Sequence, residues 1–161
     1  EPYVLSAFAA VSDQGETFTM GYHPGATHDF ERALFESSSE ERRLRTTLVG
    51  PHRDDLHFFV QSQPADFFAS EGQQRTMAIA LKLGQAAVLQ AEWRQPPLLL
   101  VDDVFGELDH DRRNRLLKSL PPDSQRVVTT TSISWLDQAP IGRMYEIAED
   151  EELGRSVRLV G

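Results

Sequence analysis

The stretch that most limits what this chain can fold into is Leu98-Leu99-Leu100-Val101-Asp102-Asp103-Val104-Phe105-Gly106-Glu107-Leu108-Asp109. Four branched apolar residues follow Pro96-Pro97 without alternation, the pattern of a central strand of a parallel sheet buried on both faces. Two aspartates end it. In open α/β sheets ligands are met beyond the carboxyl ends of the strands, so Asp102 and Asp103 stand where a metal or a phosphate would arrive. The segment has the form of a Walker B strand, with Asp102 toward Mg²⁺ and Asp103 toward an attacking water. Taken by itself, a core strand running into a solvated acidic turn is the simpler account.

With 161 residues the chain is one domain's worth of polypeptide. No apolar run reaches the length of a membrane span, and Glu1-Pro2-Tyr3 has neither the basic region nor the apolar core of a signal peptide. A cytoplasmic protein without membrane partners is expected. The lack of cysteine excludes disulfides and thiolate metal sites and is compatible with a reducing compartment. A formal net charge of -9 argues against a surface given over wholly to nucleic acid and leaves room for a local basic face.

Residues 1 to 22 alternate loosely, with Tyr3, Leu5 and Phe8 and later Phe18, Met20 and Tyr22 on either side of Ser12-Asp13-Gln14-Gly15. A hairpin is expected, closed by His23-Pro24-Gly25. From Asp29 to Arg45 the spacing of Phe30, Ala33, Leu34 and Leu44 predicts a charged surface helix with a possible break at Ser37-Ser38-Ser39. Its Glu40, Glu41, Arg42, Arg43 and Arg45 read as a solvated face rather than a nucleic-acid contact. Gly50-Pro51-His52-Arg53-Asp54-Asp55-Leu56 precedes a strand through His57-Phe58-Phe59-Val60. Its histidines and carboxylates match no metal-ligand spacing, and an ion pair from Arg53 to Asp54 or Asp55 is the expected tie.

After Ser62-Gln63-Pro64 a long helical pattern runs to about Trp93, with Met77, Ala78, Leu81, Ala86 and Leu89 toward one side. Ser70 and Gln73 have the spacing of a capping box. The same geometry, with Gly72 allowing close approach, is also a phosphate-binding surface.

Ala69-Ser70-Glu71-Gly72-Gln73 resembles the signature loop of ABC-type ATPases. Extended to Phe68 through Thr76, and taken with Gly50 to Leu56, Leu99 to Val104 and Glu107-Leu108-Asp109, it resembles the RecF family of DNA replication and repair ATPases, relatives of SMC heads. The match covers residues 46 to 135. The fold it implies is α/β, the C-terminal lobe of an ABC-type P-loop ATPase head, mainly a parallel sheet with helices. Residues 1–45 would be the end of a helical arm or connector, residues 46–161 the ATPase lobe, and a terminal hairpin would complete the chain.

The resemblance also implies roles. Ser70, Gly72 and Gln73 would act in trans on ATP held by a partner; Asp102 would serve Mg²⁺; Asp103 stands where many ABC ATPases have a glutamate base. Asp109 would lie in the D-loop across the dimer interface. The next helix, about Asp109 to Leu120, turns Leu116, Leu117 and Leu120 inward, and Gln125 to Thr131 reads as a second buried strand. Thr130 would stand near a switch position, able to sense phosphate only by hydrogen bonding.

Two departures qualify the resemblance. Glu71 places a carboxylate in the loop, a source of repulsion unless its side chain turns away. No stretch matches Gly-x-x-x-x-Gly-Lys followed by Ser or Thr, the phosphate-cradling loop. The chain thus resembles the C-terminal half of a RecF protein beginning near the end of the arm, inactive alone as an ATPase and prone to self-association through an uncovered lobe face. Arg143 to Ala148 and Ser156 to Val160 predict the terminal hairpin about the acidic Glu149-Asp150-Glu151-Glu152, and Trp135 reads as half-buried core.

The expected function is the C-terminal part of an ATP-dependent DNA-binding protein in replication, recombinational repair and the SOS response, with DNA, a second head and other recombination mediators as partners. The alternatives are a non-catalytic dimerisation or interaction module, and the head of another SMC or ABC-type ATPase.

Overall fold

The structure is a computed structural model, and it describes residues 1–26, 29–134, 136, 142–150 and 154–160. In chain order the elements are α1 (Pro2–Val11), β1 (Phe18–His23), α2 (Phe30–Leu44), β2 (Asp55–Val60), β3 (Gln63–Pro64), α3 (Ala65–Phe68), α4 (Glu71–Trp93), β4 (Leu99–Asp102), α5 (His110–Ser119), β5 (Arg126–Thr129), β6 (Met144–Asp150) and β7 (Gly154–Val160). The fold is α/β. Its parallel pairing joins β4 to β5, Leu99 opposite Arg126 and Asp102 opposite Thr129. The sheet β1-β2-β3 and the hairpin β6-β7 are antiparallel.

The first element corrects the expected hairpin: residues 2 to 11 are a helix. Pro2 lies in its first turn, where a fixed φ favours helix and no N–H is missed. Val4, Phe8 and Val11 recur at helical spacing, a period that outweighs the looser alternation of Tyr3 and Leu5. β1 instead pairs with β2, Phe18 opposite Val60 and His23 opposite Asp55.

Two cores share this helix. Phe8 packs with Phe18, Val60, Ala65, Met77 and Ala80, its ring stacked on Phe18 at 4.8 Å. One turn on, Val11 joins Phe105, Leu108, Leu116 and Leu120, against which Ile79, Leu83, Leu99 and Val101 also pack. α4 serves both cores from adjacent faces. Its buried residues are Thr76, Met77, Ala80, Gly84 and Ala86, so the apolar stripe is rotated from the expected one and Ala78 faces solvent. α1 crosses α4 at Gly84, where a Cβ would lie 2.6 Å from Val4 Cγ2.

α2 runs unbroken through its three serines, since Ser37 and Ser38 turn their hydroxyls onto the carbonyls of Leu34 and Phe35. Asp29 caps its start, Arg45 ends it in a left-handed conformation, and no residue of it is buried. Both strands of the parallel pair depart from the expected two-sided burial. Leu99 and Val101 turn toward the second core, but Leu100 is 72% exposed, and Leu98, Val127 and Val128 are also exposed. A strand is buried on both faces only when a layer covers each, and here helices cover one. The terminal hairpin is present, Met144 opposite Val160. Its turn residues Glu151 and Glu152, and Trp135, lie outside the described residues.

Candidate functional site

The strand β4 delivers Asp102 and Asp103 to its carboxyl end, both exposed. Asp102 Oδ1 accepts a hydrogen bond from the Thr129 hydroxyl on β5. The Asp103 N–H donates to Thr129 Oγ1 at 3.0 Å and to Thr129 O at 3.2 Å. Asp103 itself is left-handed, at φ 50°, and leads into a 3₁₀ turn over Val104–Glu107 whose Phe105 is fully buried. The turn is thereby pinned by one large ring below and one threonine beside it. Thr129 is the residue the sequence reading missed; it stands directly opposite Asp102 in the parallel register, which a strand alignment of the two segments would have revealed. Thr130, the expected residue, turns its hydroxyl to the Ser132 carbonyl at 2.8 Å.

The donor set at this strand end suits a hard cation. Asp102 and Asp103 offer only oxygens, and Asp102 Oδ2 has no bond to Thr129. Mg²⁺ is commonly held by one or two carboxylates with substrate phosphate and water completing its octahedron. Among the described residues no three His, Asp or Glu side chains converge on one point, so two acids with outside oxygens is the arrangement available.

The second part is the N-terminus of α4. Ser70 Oγ accepts the Gln73 N–H at 3.3 Å, and Gln73 Oε1 accepts the Ser70 N–H at 2.9 Å, a complete capping box. Loss of such a cap costs about 1 kcal/mol. The box uses only one of the first-turn donors, leaving the Glu71 and Gly72 N–H groups without an intrahelical acceptor, as in any first turn. Gln73 Nε2 continues to Glu16 Oε1 at 2.9 Å. Glu71 turns along the helix to Arg75 at 2.7 Å, and Arg75 also reaches the Glu107 carbonyl at 3.0 Å. Its charge is therefore answered by a cation that ties α4 to the turn after the acid pair.

Asp109 caps α5, its Oδ1 accepting the Arg112 N–H at 2.9 Å. Burial alone would raise its carboxyl, but the Arg112 N–H and the charges of Arg112 and Arg115 hold it below the usual carboxylate range. Arg112 and Arg115 both bind Asp13, on the turn between α1 and β1. Ser70, Gly72, Gln73 and Asp109 thus belong to one connected patch. Asp102 and Asp103 belong to another, joined to the first through Arg75 and Glu107.

The Gly50 to Leu56 loop is tied differently from expectation. Arg53 donates to the Thr47 carbonyl at 2.9 Å rather than pairing with an aspartate. Asp54 accepts the Tyr22 hydroxyl and the Gly25 N–H, the latter at 2.8 Å, and Asp55 lies 3.4 Å from His57. A Cβ on Gly25 would meet Arg53 Cβ at 2.4 Å, so this loop closes against the end of β1 only with glycine there.

No family model matches the chain. Among curated proteins it is 39% identical over 137 residues to the DNA replication and repair protein RecF of Synechocystis sp., covering 79% of this chain and 36% of the relative. It is 42% identical over 155 residues to that of Gloeothece citriformis, covering 87% and 40%. To that of Symbiobacterium thermophilum it is 48% identical over 103 residues. The fold matches the solved recombination mediator protein RecF-ATP in the RecFOR pathway with a TM-score of 0.70 at 22% identity, over 99% of this chain and 44% of that one. A second solved form, RecF-ATPrS, gives 0.69 at 25% identity over 91% and 42%. The chain spans less than half the length of these relatives. Within the part it covers, the chain belongs to the RecF family.

Proposed function

We propose that this chain supplies the signature loop and the acidic strand end of an ATP-dependent DNA replication and repair protein of the RecF type. The observation that carries this is the pairing, around α4 and one core, of a capped helix N-terminus at Ser70–Gln73 with an acid pair at the end of β4. The named relatives and the ATP-bound solved forms support the same reading. Residues 46–161 act as the lobe. α2, with no buried residue, is the connector toward an arm, and α1 and β1 share the lobe's core.

In this reading Asp102 holds Mg²⁺, which when bound offsets charge on the phosphates, and Asp103 accepts a proton from the attacking water. Thr129 keeps both acids in place. Ser70 and the open N–H groups of Glu71 and Gly72 meet the phosphates of ATP bound by a second copy, with Gln73 holding the serine in its cap. Asp109 lies at the same interface. Thr130 senses phosphate through the segment its hydroxyl shares with Ser132. DNA and other recombination mediators are the partners, in the cytoplasm; among the described residues no helix is long and apolar enough to cross a membrane.

Because the sequence holds no phosphate-cradling loop, the test is ATP turnover by the chain alone and mixed with a RecF-type polypeptide carrying that loop. Silence alone and turnover on mixing are expected, with Asp102→Asn and Asp103→Asn each abolishing turnover and Ser70→Arg abolishing ATP-dependent association. Turnover that survives Asp103→Asn overturns the catalytic assignment. Silence both alone and on mixing favours the non-catalytic interaction module, for which the exposed face of Leu98, Leu100 and Val127 is the surface.

A further inference from the structure

A glycine in a phosphate-facing loop is readily explained by the ligand it admits, but Gly72 already has a neighbour on its open side. A Cβ built there would lie 2.6 Å from Arg112 Nη1. Arg112 is well held, its side chain only 13% exposed. Nη2 is 2.6 Å from Asp13 Oδ2 and 3.5 Å from Glu16 Oε1, and Nη1 is 3.4 Å from Asp109 Oδ2. Glu16 is equally buried, and its Oε1 also takes the Gln73 side-chain N–H. One shielded cation therefore rests on Gly72, shares Glu16 with Gln73, and closes onto Asp109.

We propose that Arg112 is a positioning residue that sets the Ser70–Gln73 loop against the Asp109 turn, and that Gly72 is glycine in order to seat its guanidinium. The positioning itself is a property of this chain; its consequence for catalysis rests on the function proposed above. Removing the guanidinium leaves Glu16 shielded from water without its cation, and a shielded charge deprived of its partner is strongly disfavoured. Lysine is a poor replacement. Its compact head lacks the planar fork that spans Asp13, Glu16 and Asp109 together, and it vacates the face of Gly72.

The test is a double-mutant cycle on the 161-residue chain: unchanged, Gly72→Ala, Arg112→Lys, and both. Amide hydrogen exchange is read at Ser70, Gln73 and Arg112, whose N–H groups are held by Gln73, Ser70 and Asp109, with core Met77 as internal reference. Gly72→Ala is expected to speed exchange at Ser70 and Gln73 about tenfold with Arg112 in place and less than about twofold in the Arg112→Lys background. An equal effect in both backgrounds overturns the proposal. Should Gly72→Ala also release Met77, Arg112→Gln is read instead: faster exchange at Ser70 and Gln73 with Met77 unchanged is expected, and unchanged exchange there overturns it. In a composite that turns over ATP, the Arg112→Lys variant lowers kcat with KM within about twofold; a change confined to KM counts against positioning. A composite that never turns over ATP sinks the functional reading, and the exchange cycle still decides the role of Arg112.

Discussion

The Thr129 hydroxyl donates to Asp102 Oδ1 and accepts the Asp103 N–H at 3.0 Å, so one side chain on β5 fixes two consecutive acids on β4. Valine has the same shape and neither bond. Thr129→Val is expected to lower the unfolding free energy by about 1 kcal/mol in urea titration, while Thr129→Ser stays near the unchanged chain. The amide resonance of Asp103 should move with valine and not with serine. Thr130→Val, which loses bonds to Ser132 only, should leave Asp103 undisturbed; a larger shift from it than from Thr129→Val would refute the assignment.

A pH dependence follows from the pair of Tyr22 and Asp54. The Tyr22 hydroxyl chiefly, with the Gly25 N–H and the nearby His52, holds Asp54 below the usual carboxylate range against a smaller opposing effect of burial. The same bond, then burial and the Asp54 charge, raises Tyr22 above the usual phenol value. A lowered acid favours the folded state above its unfolded pKa and loses that contribution as pH falls through the folded one. A raised phenol favours it below its unfolded pKa and loses that contribution as pH rises through the folded one. Tyr22→Phe should flatten both ends of a plot of Tm against pH, with Asp109 preserving part of the acid limb. An alkaline limb as steep as before would show that the bond does not contribute in solution.

At the crossing of α1 and α4, alanine at position 84 would bring its methyl within 2.6 Å of Val4 Cγ2 and 3.0 Å of the Val4 backbone. Gly84→Ala should cost about 1–3 kcal/mol by forcing the helices apart, despite the better helix propensity of alanine. Val4→Ala in the same chain relieves the methyl contact and leaves the backbone one, so thermal unfolding should recover in part. Full recovery would place the strain in the side chain alone.

The sequence was most readable where a local rule and the tertiary fold agree. Ser70 and Gln73 announce the capping box by spacing alone, Asp29 and Asp109 sit where helix caps belong, and the apolar run before Asp102 is a strand. Residues 2 to 11 misled because Tyr3 and Leu5 suggest alternation, whereas the burial of Phe8 and Val11 in two different cores is decided by α4 and α5 far along the chain. The exposure of Leu100 was likewise illegible, since apolarity states what a strand favours and not which layers reach it. In the site, the acids were legible and their keeper Thr129 was not, because its role depends on the register between two strands 24 residues apart at their nearest ends. Arg112 was hidden for a similar reason: its acidic partners lie on the turn at residues 13–16 and at Asp109, and its seat, Gly72, on a third segment.

The backbone at Asp103, at φ 50° and ψ 15°, also acts as a filter on sequence drift. Left-handed positions accept glycine, asparagine and aspartate far more readily than longer or branched residues. Glycine and asparagine meet that demand and give up the charge; glutamate keeps the charge and brings a longer side chain to a position that disfavours one. Aspartate meets both requirements. Asp102, one residue earlier on regular strand, is free of the conformational half of this test, so the tolerance of the two neighbouring acids to exchange for glutamate should differ even though their chemistry is the same.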